Sequence, residues 1–205
     1  MLKLGLPKGP YLNMSTNLVR LLFGEFDKRQ LRLHGDIGTA YFLKSRDIPT
    51  LVSEGLLDFG ITSTEWIYET DREVDSLRSI NWCNTRLSLV SNRSLDDLIA
   101  VPLLRCVTEY PNTARRFFKD MNIHASVYKL SGSCEGLVPD IFDCAIDCVE
   151  TGSTLRANGL KEIFKVLDSH VTFIKRRSCL VGPIVKRILD YLEQVDSIPR
   201  QSLGG

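Results

Sequence analysis

The sequence lacks an excess of charge of either sign. Its 205 residues include 26 Lys and Arg against 25 Asp and Glu, which gives a formal net charge of +1. A strongly basic chain would attract nucleic acid or an anionic membrane through its overall field, and this balance excludes such a field. An anionic ligand must therefore be bound by groups that the fold brings together locally.

Long hydrophobic runs are also missing. No segment approaches the roughly 18 uninterrupted apolar residues of a transmembrane helix. The opening residues, MLKLGLPKG, contain no apolar run of the length found in a signal peptide. We therefore expect a cytoplasmic protein with no membrane partner and no nucleic-acid partner.

Clustered metal-binding and redox motifs are absent as well. The six cysteines are scattered without a CxxC pair, and the three histidines have no acidic or cysteine neighbour at a catalytic spacing. This distribution predicts reduced thiols and argues against a zinc site and against a Cys-His or Ser-His-Asp nucleophile. The identity of any metal ligands stays unknown at this level.

What is present is an alternation of short apolar segments and helical patterns along the whole chain. This order is typical of α/β architecture with mainly parallel sheets, in one long domain or two short ones. The polar segment 91–97, SNRSLDD, is the best candidate for a domain boundary. With a return near the basic residues 175–177, we predict a discontinuous first domain, 1–91 plus 177–205, and a second domain over 92–176.

Prolines and glycines predict where several elements begin and end. A helix should start at Ile48-Pro49, with the Asp47 side chain accepting the first amides, and should close at a left-handed Gly55. Further helices should follow Pro111 and Pro183, strands should cover 2–6, 57–62 and 124–130, and the tail 197–205 should be frayed.

The segment 143–160, DCAIDCVETGSTLRANGL, predicts an anion site. A strand should end at Val149, so that residues 150–154 lead into a helix and present free amides and hydroxyls at its start. Such a turn favours a phosphate, which Gly152 would allow to approach the backbone closely. Alternatively, the turn merely caps a helix and its acids are solvated.

Carboxylates beside this turn need a different partner, because they would repel a phosphate. Asp147 and Glu150 are suited to accept hydrogen bonds from the vicinal hydroxyls of a ribose, and a magnesium ion is a second option. Acidic residues followed by Thr-Gly-Ser-Thr therefore indicate a sugar-phosphate site.

Other loops carry groups suited to a multiply charged ligand. Lys8 and Gly9 follow the first strand, where open α/β sheets bind ligands, and residues 131–133, Ser-Gly-Ser, follow another. Arg46 precedes the helix predicted at Asp47, and Arg29 and Arg86 lie near other strand edges. Each of these arginines alone is better explained as a surface ion-pair partner, but together they could surround such a ligand.

Six segments together resemble the ATP phosphoribosyltransferase family, in its order and spacing over nearly the whole chain. They are LPKG (6–9), RDIPTLVSEGLLDFGI (46–61), CNTRLSLV (83–90), EYPNTARRFF (109–118), KLSGSCE (129–135) and DCAIDCVETGSTLRANGL (143–160). The resemblance implies two α/β domains like those of a type II periplasmic binding protein, with the active site in the cleft. It also implies transfer of phosphoribosyl from 5-phosphoribosyl 1-pyrophosphate (PRPP) to N1 of ATP, the first step of histidine biosynthesis.

The resemblance also implies roles for individual residues. Residues 151–154 would bind the 5-phosphate of PRPP, and Asp147 and Glu150 would bind its ribose. Catalytic cations near the pyrophosphate or the ATP phosphates would be Lys8, Arg29 and Arg46. The remaining ATP-binding residues would be Gly9, Arg86, Ser131, Gly132 and Ser133, with Lys8 shared between the two sets.

The partners that the resemblance implies are Mg²⁺, a second copy of the chain in a homodimer or higher oligomer, and a regulatory subunit. Longer family members carry an additional C-terminal domain, so this chain resembles the short form, which works with a subunit like histidyl-tRNA synthetase.

Two departures from the family pattern leave alternatives open. Pro10 stands where the family usually has arginine, and Glu65 where aspartate is common. The same transfer could serve a specialised nucleoside pathway of the coformycin type. The chain could also be a non-catalytic nucleotide-binding module. The transfer itself needs no protein nucleophile, since adenine N1 carries its own lone pair.

Overall fold

The computed structural model describes residues 1–27 and 29–196, apart from the side chain of Asn84. The predicted frayed tail lies outside the described residues. Within the described part of the chain, no helix is long and apolar enough to cross a membrane.

The chain divides into two compact units. Unit 1 consists of Met1–Cys83 and the chain from His170 onward, and unit 2 of Asn84–Ser169. Two long strands contribute to both units: β5, Asp75–Ser91, and β9, Lys161–Lys175. The predicted boundaries at 91/92 and 176/177 stay a prediction.

Unit 1 contains a mixed sheet with helices beside it. Its other elements are β1 (Leu2–Pro7), α1 (Leu12–Phe23), β2 (Arg32–Gly35), β3 (Gly38–Leu43), α2 (Ile48–Ser53), β4 (Phe59–Ser63), α3 (Thr64–Thr70) and α7 (Pro183–Asp196). β1 pairs in parallel with β3 and β4, while β2 is antiparallel to β3 and β4 is antiparallel to β9. Its core side chains include Leu4, Leu6, Ile61 and Phe173, which are fully buried.

Unit 2 contains α4 (Leu95–Ile99), β6 (Leu104–Thr108), α5 (Pro111–Asp120), β7 (Ala125–Lys129), β8 (Cys144–Val149) and α6 (Ser153–Ala157). β6 pairs in parallel with β7 and β8, and β8 is antiparallel to β5. A hydrophobic cluster that includes Val90, Val107, Ala145 and Leu155 fills its core.

The expectation of mainly parallel sheets needs correction, because both units are mixed. The antiparallel pairs involve the β2–β3 hairpin and the two long strands β5 and β9. A hairpin allows strands to pair through a short turn, whereas parallel strands need a crossover of a dozen or more residues. The parallel pairs accordingly occur where a helix intervenes, as α5 does between β6 and β7.

The helix predicted at Ile48 is confirmed, but its predicted cap is wrong. A 3-10 turn over Ser45–Asp47 runs directly into α2, and the Asp47 side chain makes no capping hydrogen bond. Asp47 already has helical dihedral angles, φ −88° and ψ −21°, whereas a capping residue usually has an extended backbone. Gly55 adopts the predicted left-handed conformation, with φ +76°.

Candidate functional site

The turn after β8 has the backbone that the sequence predicts for an anion site. β8 is buried from Cys144 to Ile146 and ends at Val149. Gly152 has φ +70° and ψ +14° and precedes α6, which begins at Ser153. Glycine adopts this left-handed conformation without the steric penalty of a Cβ atom, which explains its place here. We call residues 150–154 the phosphate turn.

A pocket of about 260 Å³ lies against the phosphate turn and is lined by Glu135 and residues 147–155. The hydroxyls of Thr151 and Ser153 lie 3.0 Å apart, and the Ser153 amide is 3.4 Å from the Thr151 hydroxyl. The pocket therefore brings together Asp147, Glu150 and the four residues predicted to bind the 5-phosphate.

Two guanidinium groups contact the carbonyl groups of the phosphate turn. Nη1 of Arg86 donates to the Glu150 carbonyl at 3.1 Å, and Nη1 of Arg156 donates to the Thr151 carbonyl at 3.2 Å. Within the described part of the chain, the backbone amides of Thr151 and Gly152 donate no hydrogen bond to a protein group. These amides are consequently available for an anion.

An acidic pair forms another part of the pocket. Burial, and next the hydrogen bond with the neighbouring Glu135 carboxyl, raise the pKa of Asp147 to about 7. Oε2 of Glu135 is buried and has no partner among the described residues. Two ionised carboxylates repel each other and have no proton with which to form a hydrogen bond. One carboxyl of the Asp147–Glu135 pair is therefore favoured in its protonated form until a ligand supplies hydrogen-bond donors.

Cys134, the residue before Glu135, is poorly suited to act as a nucleophile. Cys134 is fully buried, and burial followed by the charge of nearby acids raises the pKa of its thiol to about 12. The thiolate, which is the reactive form, is therefore negligible at neutral pH.

The second Gly/Ser loop follows β7 in the same unit and is exposed. The Gly132 amide donates to Oε1 of Glu109 at 3.0 Å, and Gly132 has φ +104°. Ser131 and Ser133 are exposed on either side. The loop was predicted to donate its amides to an oxyanion of a ligand. In this structure the Gly132 amide donates to the Glu109 carboxylate instead.

Arg86 is also in unit 2, where it is engaged with protein groups. Its Nε donates to Oε1 of Glu162 at 2.6 Å and its Nη2 donates to Oε2, while the Ser88 hydroxyl donates to Oε1 at 2.9 Å. The paired guanidinium and the Ser88 hydroxyl lower the pKa of Glu162. Glu162 and Arg156 are contacts that sequence reasoning missed.

The other predicted cations lie in unit 1. Lys8 follows β1, and Arg46 lies in the 3-10 turn after β3. β1 and β3 are parallel and pair at Pro7 and Leu43, so both cations follow the same edge of the sheet. Gly9, next to Lys8, has φ +73°.

Arg29 is the most exposed of these cations. Its side chain is 91% exposed, and its Nη2 lies 2.7 Å from Oδ2 of Asp27. The hydrogen bonds from Arg29 lower the pKa of Asp27. An exposed pair of this kind contributes little to stability.

The described residues contain no group of three or more His, Cys, Asp or Glu side chains placed to hold a metal ion. A metal at the phosphate turn would therefore need ligands from a substrate in addition to Asp147 or Glu150.

Comparison with known proteins identifies relatives over almost the whole chain. The family model for ATP phosphoribosyltransferase matches residues 44–194. The chain is 30% identical to the ATP phosphoribosyltransferase of Campylobacter fetus over 209 residues, covering 97% of this chain and 99% of that protein. It is 36% identical to that of Gemmatimonas aurantiaca over 152 residues, which span 70% of this chain and 51% of the relative.

Solved structures show the same fold. The ATP phosphoribosyltransferase (HisG:HisZ) complex from Thermotoga maritima contains a chain with a TM-score of 0.82 and 21% identity, covering 95% of this chain and 96% of that one. The ligand-binding core of GluR0 from Nostoc punctiforme, in complex with glutamate, has a TM-score of 0.61 and 14% identity, covering 96% and 95%. The α/β fold of this chain is thus similar to that of periplasmic binding proteins, as the sequence predicted.

Proposed function

The chain belongs to the ATP phosphoribosyltransferase family, and from this membership we propose that it joins N1 of ATP to the anomeric carbon of PRPP. The products are N1-(5-phosphoribosyl)-ATP and pyrophosphate, and the reaction is the first step of histidine biosynthesis. The observation that best supports this proposal is the pocket at the phosphate turn, where Gly152 is left-handed and the amides of Thr151 and Gly152 are available.

PRPP binds with its 5-phosphate against residues 151–154 and its ribose hydroxyls against Asp147 and Glu150. The phosphate accepts hydrogen bonds from amides and hydroxyls, while the carboxylates accept from the sugar. Both sets of groups line the same pocket, where the hydroxyls of Thr151 and Ser153 are 3.0 Å apart and Asp147 lies beside the Glu135 carboxyl.

The chemical step needs no covalent intermediate with the protein. The bond between the anomeric carbon and the pyrophosphate oxygen breaks, and its electron pair leaves with pyrophosphate. The lone pair of adenine N1 forms the new bond to carbon. Negative charge grows on the leaving group, and Lys8, Arg29 and Arg46 are the cations assigned to it, each well-placed donor contributing about 3 kcal/mol.

Gly9 and the loop of Ser131, Gly132 and Ser133 are assigned to ATP. Binding of ATP would replace the Glu109 carboxylate at the Gly132 amide, which lies 3.0 Å from Oε1 in this structure. Alignment of the two substrates then supplies much of the remaining rate acceleration.

Mg²⁺ fits as an ion carried in with substrate. In proteins it is commonly bound by one or two carboxylates together with substrate phosphates. Asp147 and Glu150 line the pocket and provide such carboxylates. When bound, Mg²⁺ supplies positive charge that stabilises the departing pyrophosphate.

A homodimer and a regulatory subunit remain part of the proposal, and so does a cytoplasmic location. The solved complex from Thermotoga maritima pairs HisG with HisZ, which supports a search for a corresponding partner of this chain.

The direct test is to incubate the purified chain with ATP, PRPP and Mg²⁺ and to detect the adduct by mass spectrometry. Adduct should form only when both substrates are present, and faster with pyrophosphatase. Binding of both substrates without any adduct, even after a regulatory subunit is added, would contradict the proposal and favour a binding module.

A further inference from the structure

Two arginines hold consecutive carbonyl groups of the phosphate turn. Arg86 reaches the Glu150 carbonyl from β5, at 3.1 Å, and Arg156 reaches the Thr151 carbonyl from α6, at 3.2 Å. Arg86 precedes the turn in the sequence and Arg156 follows it, so two different elements contact the turn.

Holding a carbonyl also orients the next amide. A peptide group is planar and almost always trans, so the N–H of one residue points opposite to the C=O of the residue before it. A guanidinium on the Glu150 carbonyl therefore directs the Thr151 N–H away from Arg86. A guanidinium on the Thr151 carbonyl directs the Gly152 N–H away from Arg156 in the same way.

Arg86 is itself held rigidly. It makes a two-point contact with Glu162 on β9, and the Ser88 hydroxyl donates to the same carboxylate. Its backbone position is also fixed, because Arg86 pairs with Val149, the last residue of β8. Since Glu162 neutralises its charge, Arg86 affects the turn through geometry more than through its field.

We propose that Arg86 and Arg156 are positioning residues that preorganise the phosphate turn, so that the Thr151 and Gly152 amides face the 5-phosphate of PRPP. The proposal rests on the proposed function for the identity of the anion. It gives Arg86 a different role from the nucleotide contact that the sequence resemblance implies.

Titration calorimetry of the full chain with PRPP, and separately with ATP, tests the proposal. Arg86→Met and Arg156→Met should each weaken PRPP binding by about tenfold, the effect of losing one hydrogen bond from a charged donor. ATP binding should stay within about twofold of the original protein. If Arg86 instead contacts the nucleotide, Arg86→Met should weaken ATP binding and leave PRPP binding nearly unchanged.

Arg86→Lys separates geometry from charge. Lysine keeps the positive charge but cannot bind Glu162 at two points while also reaching the Glu150 carbonyl. Its PRPP affinity should therefore resemble that of Arg86→Met, and full recovery with lysine would contradict the positioning role.

The matched control is Arg105→Met. Arg105 is also in unit 2, and its Nε lies 3.5 Å from a carboxylate oxygen of Asp143. Asp143 directly precedes β8, whereas the phosphate turn follows the other end of that strand. This variant should bind PRPP normally. Thermal melting checks that each variant is folded. If Arg86→Met does not fold, the PRPP affinity of Arg156→Met, which changes an exposed residue, tests the proposal by itself.

The outcomes are distinct. If the unaltered chain binds PRPP and both methionine variants bind it within about twofold, the positioning role is wrong while the proposed function stands. If the unaltered chain binds no PRPP, the proposed function fails, and the positioning role fails with it.

Discussion

At the scale of single residues, Asp147 has the most unusual environment in the pocket. Burial and the Glu135 carboxyl raise its pKa from 3.8 to about 7. A raised carboxyl pKa means that the folded state holds a proton which the unfolded chain has already released. Stability should therefore fall as pH rises between these two values.

Asp147→Asn should remove this dependence. From about pH 4 to about pH 7, the free energy of unfolding of the original protein should fall relative to the variant, by about 1 kcal/mol or more. Urea unfolding at a series of pH values measures the difference. Asp190→Asn, which changes an exposed acid in α7, is the control, and a parallel pH dependence of all three proteins would contradict the assigned environment of Asp147.

Gly152→Val tests the phosphate turn at its left-handed position. Valine in this conformation should cost about 1–2 kcal/mol of stability, and its side chain should prevent close approach of the phosphate. Calorimetry should show loss of PRPP binding.

Gly159 provides a closely matched control for this change. It has φ +67°, against +70° for Gly152, and no neighbouring atom within 4 Å of an added Cβ. Gly159→Val should cost similar stability but leave PRPP binding intact. Equal loss of binding in both variants would point to general destabilisation instead.

Sequence reasoning at this scale can group residues that are close along the chain. Asp147, Glu150 and residues 151–154 are nearly contiguous, so a strand that ends at Val149 is enough to bring them to one pocket. The bond between Arg86 and Glu162 spans 76 positions and depends on how β5 and β9 pass through unit 2. No local pattern could have predicted it.

At the scale of elements, the first residues of α4 and α2 differ in whether a side chain caps the helix. Ser94 accepts a hydrogen bond from the Asp97 amide, and Asp97 accepts one from the Ser94 amide, in a capping box at α4. Asp47, which the sequence predicts as a cap, makes no such bond at α2. The preceding 3-10 turn replaces the cap there.

Ser94→Ala should therefore cost about 1 kcal/mol of unfolding free energy. Asp47→Ala should cost about 0.5 kcal/mol or less, since it removes no cap and only a distant ion pair with Arg46, 3.9 Å apart. Thermal or urea unfolding of the two variants side by side checks the order. The reverse order would contradict the described start of α2.

Strand prediction was most difficult for the longest strands. β9 is exposed or half-buried over its first half and mostly buried over its second. One hydrophobic pattern therefore does not run through the whole strand, and its length of 15 residues exceeds the usual 5–6. Short, uniformly buried strands such as β4 were predicted correctly in type and place.

At the scale of the whole molecule, the chain passes between its two units inside strands. The units divide at Cys83/Asn84 within β5 and at Ser169/His170 within β9. No Gly, Pro or Ser-rich linker marks these points, and composition therefore carries no signal for them. The α/β class was predictable because the alternation of strands and helices is a property of the entire sequence.

The proposed function assigns groups from both units. The phosphate turn, its acidic pair and Arg86 belong to unit 2, whereas Lys8, Arg29 and Arg46 belong to unit 1. In the proposal, unit 2 supplies the groups for the ribose phosphate, and unit 1 supplies the cations assigned to the departing pyrophosphate.

The central claim is that the phosphate turn binds the ribose phosphate of PRPP, and a crystal structure of the chain with PRPP and Mg²⁺ tests it most directly. The account predicts the 5-phosphate within hydrogen-bonding distance of the Thr151 and Gly152 amides, with the ribose hydroxyls on Asp147 or Glu150. PRPP bound elsewhere, with the turn empty, would contradict it.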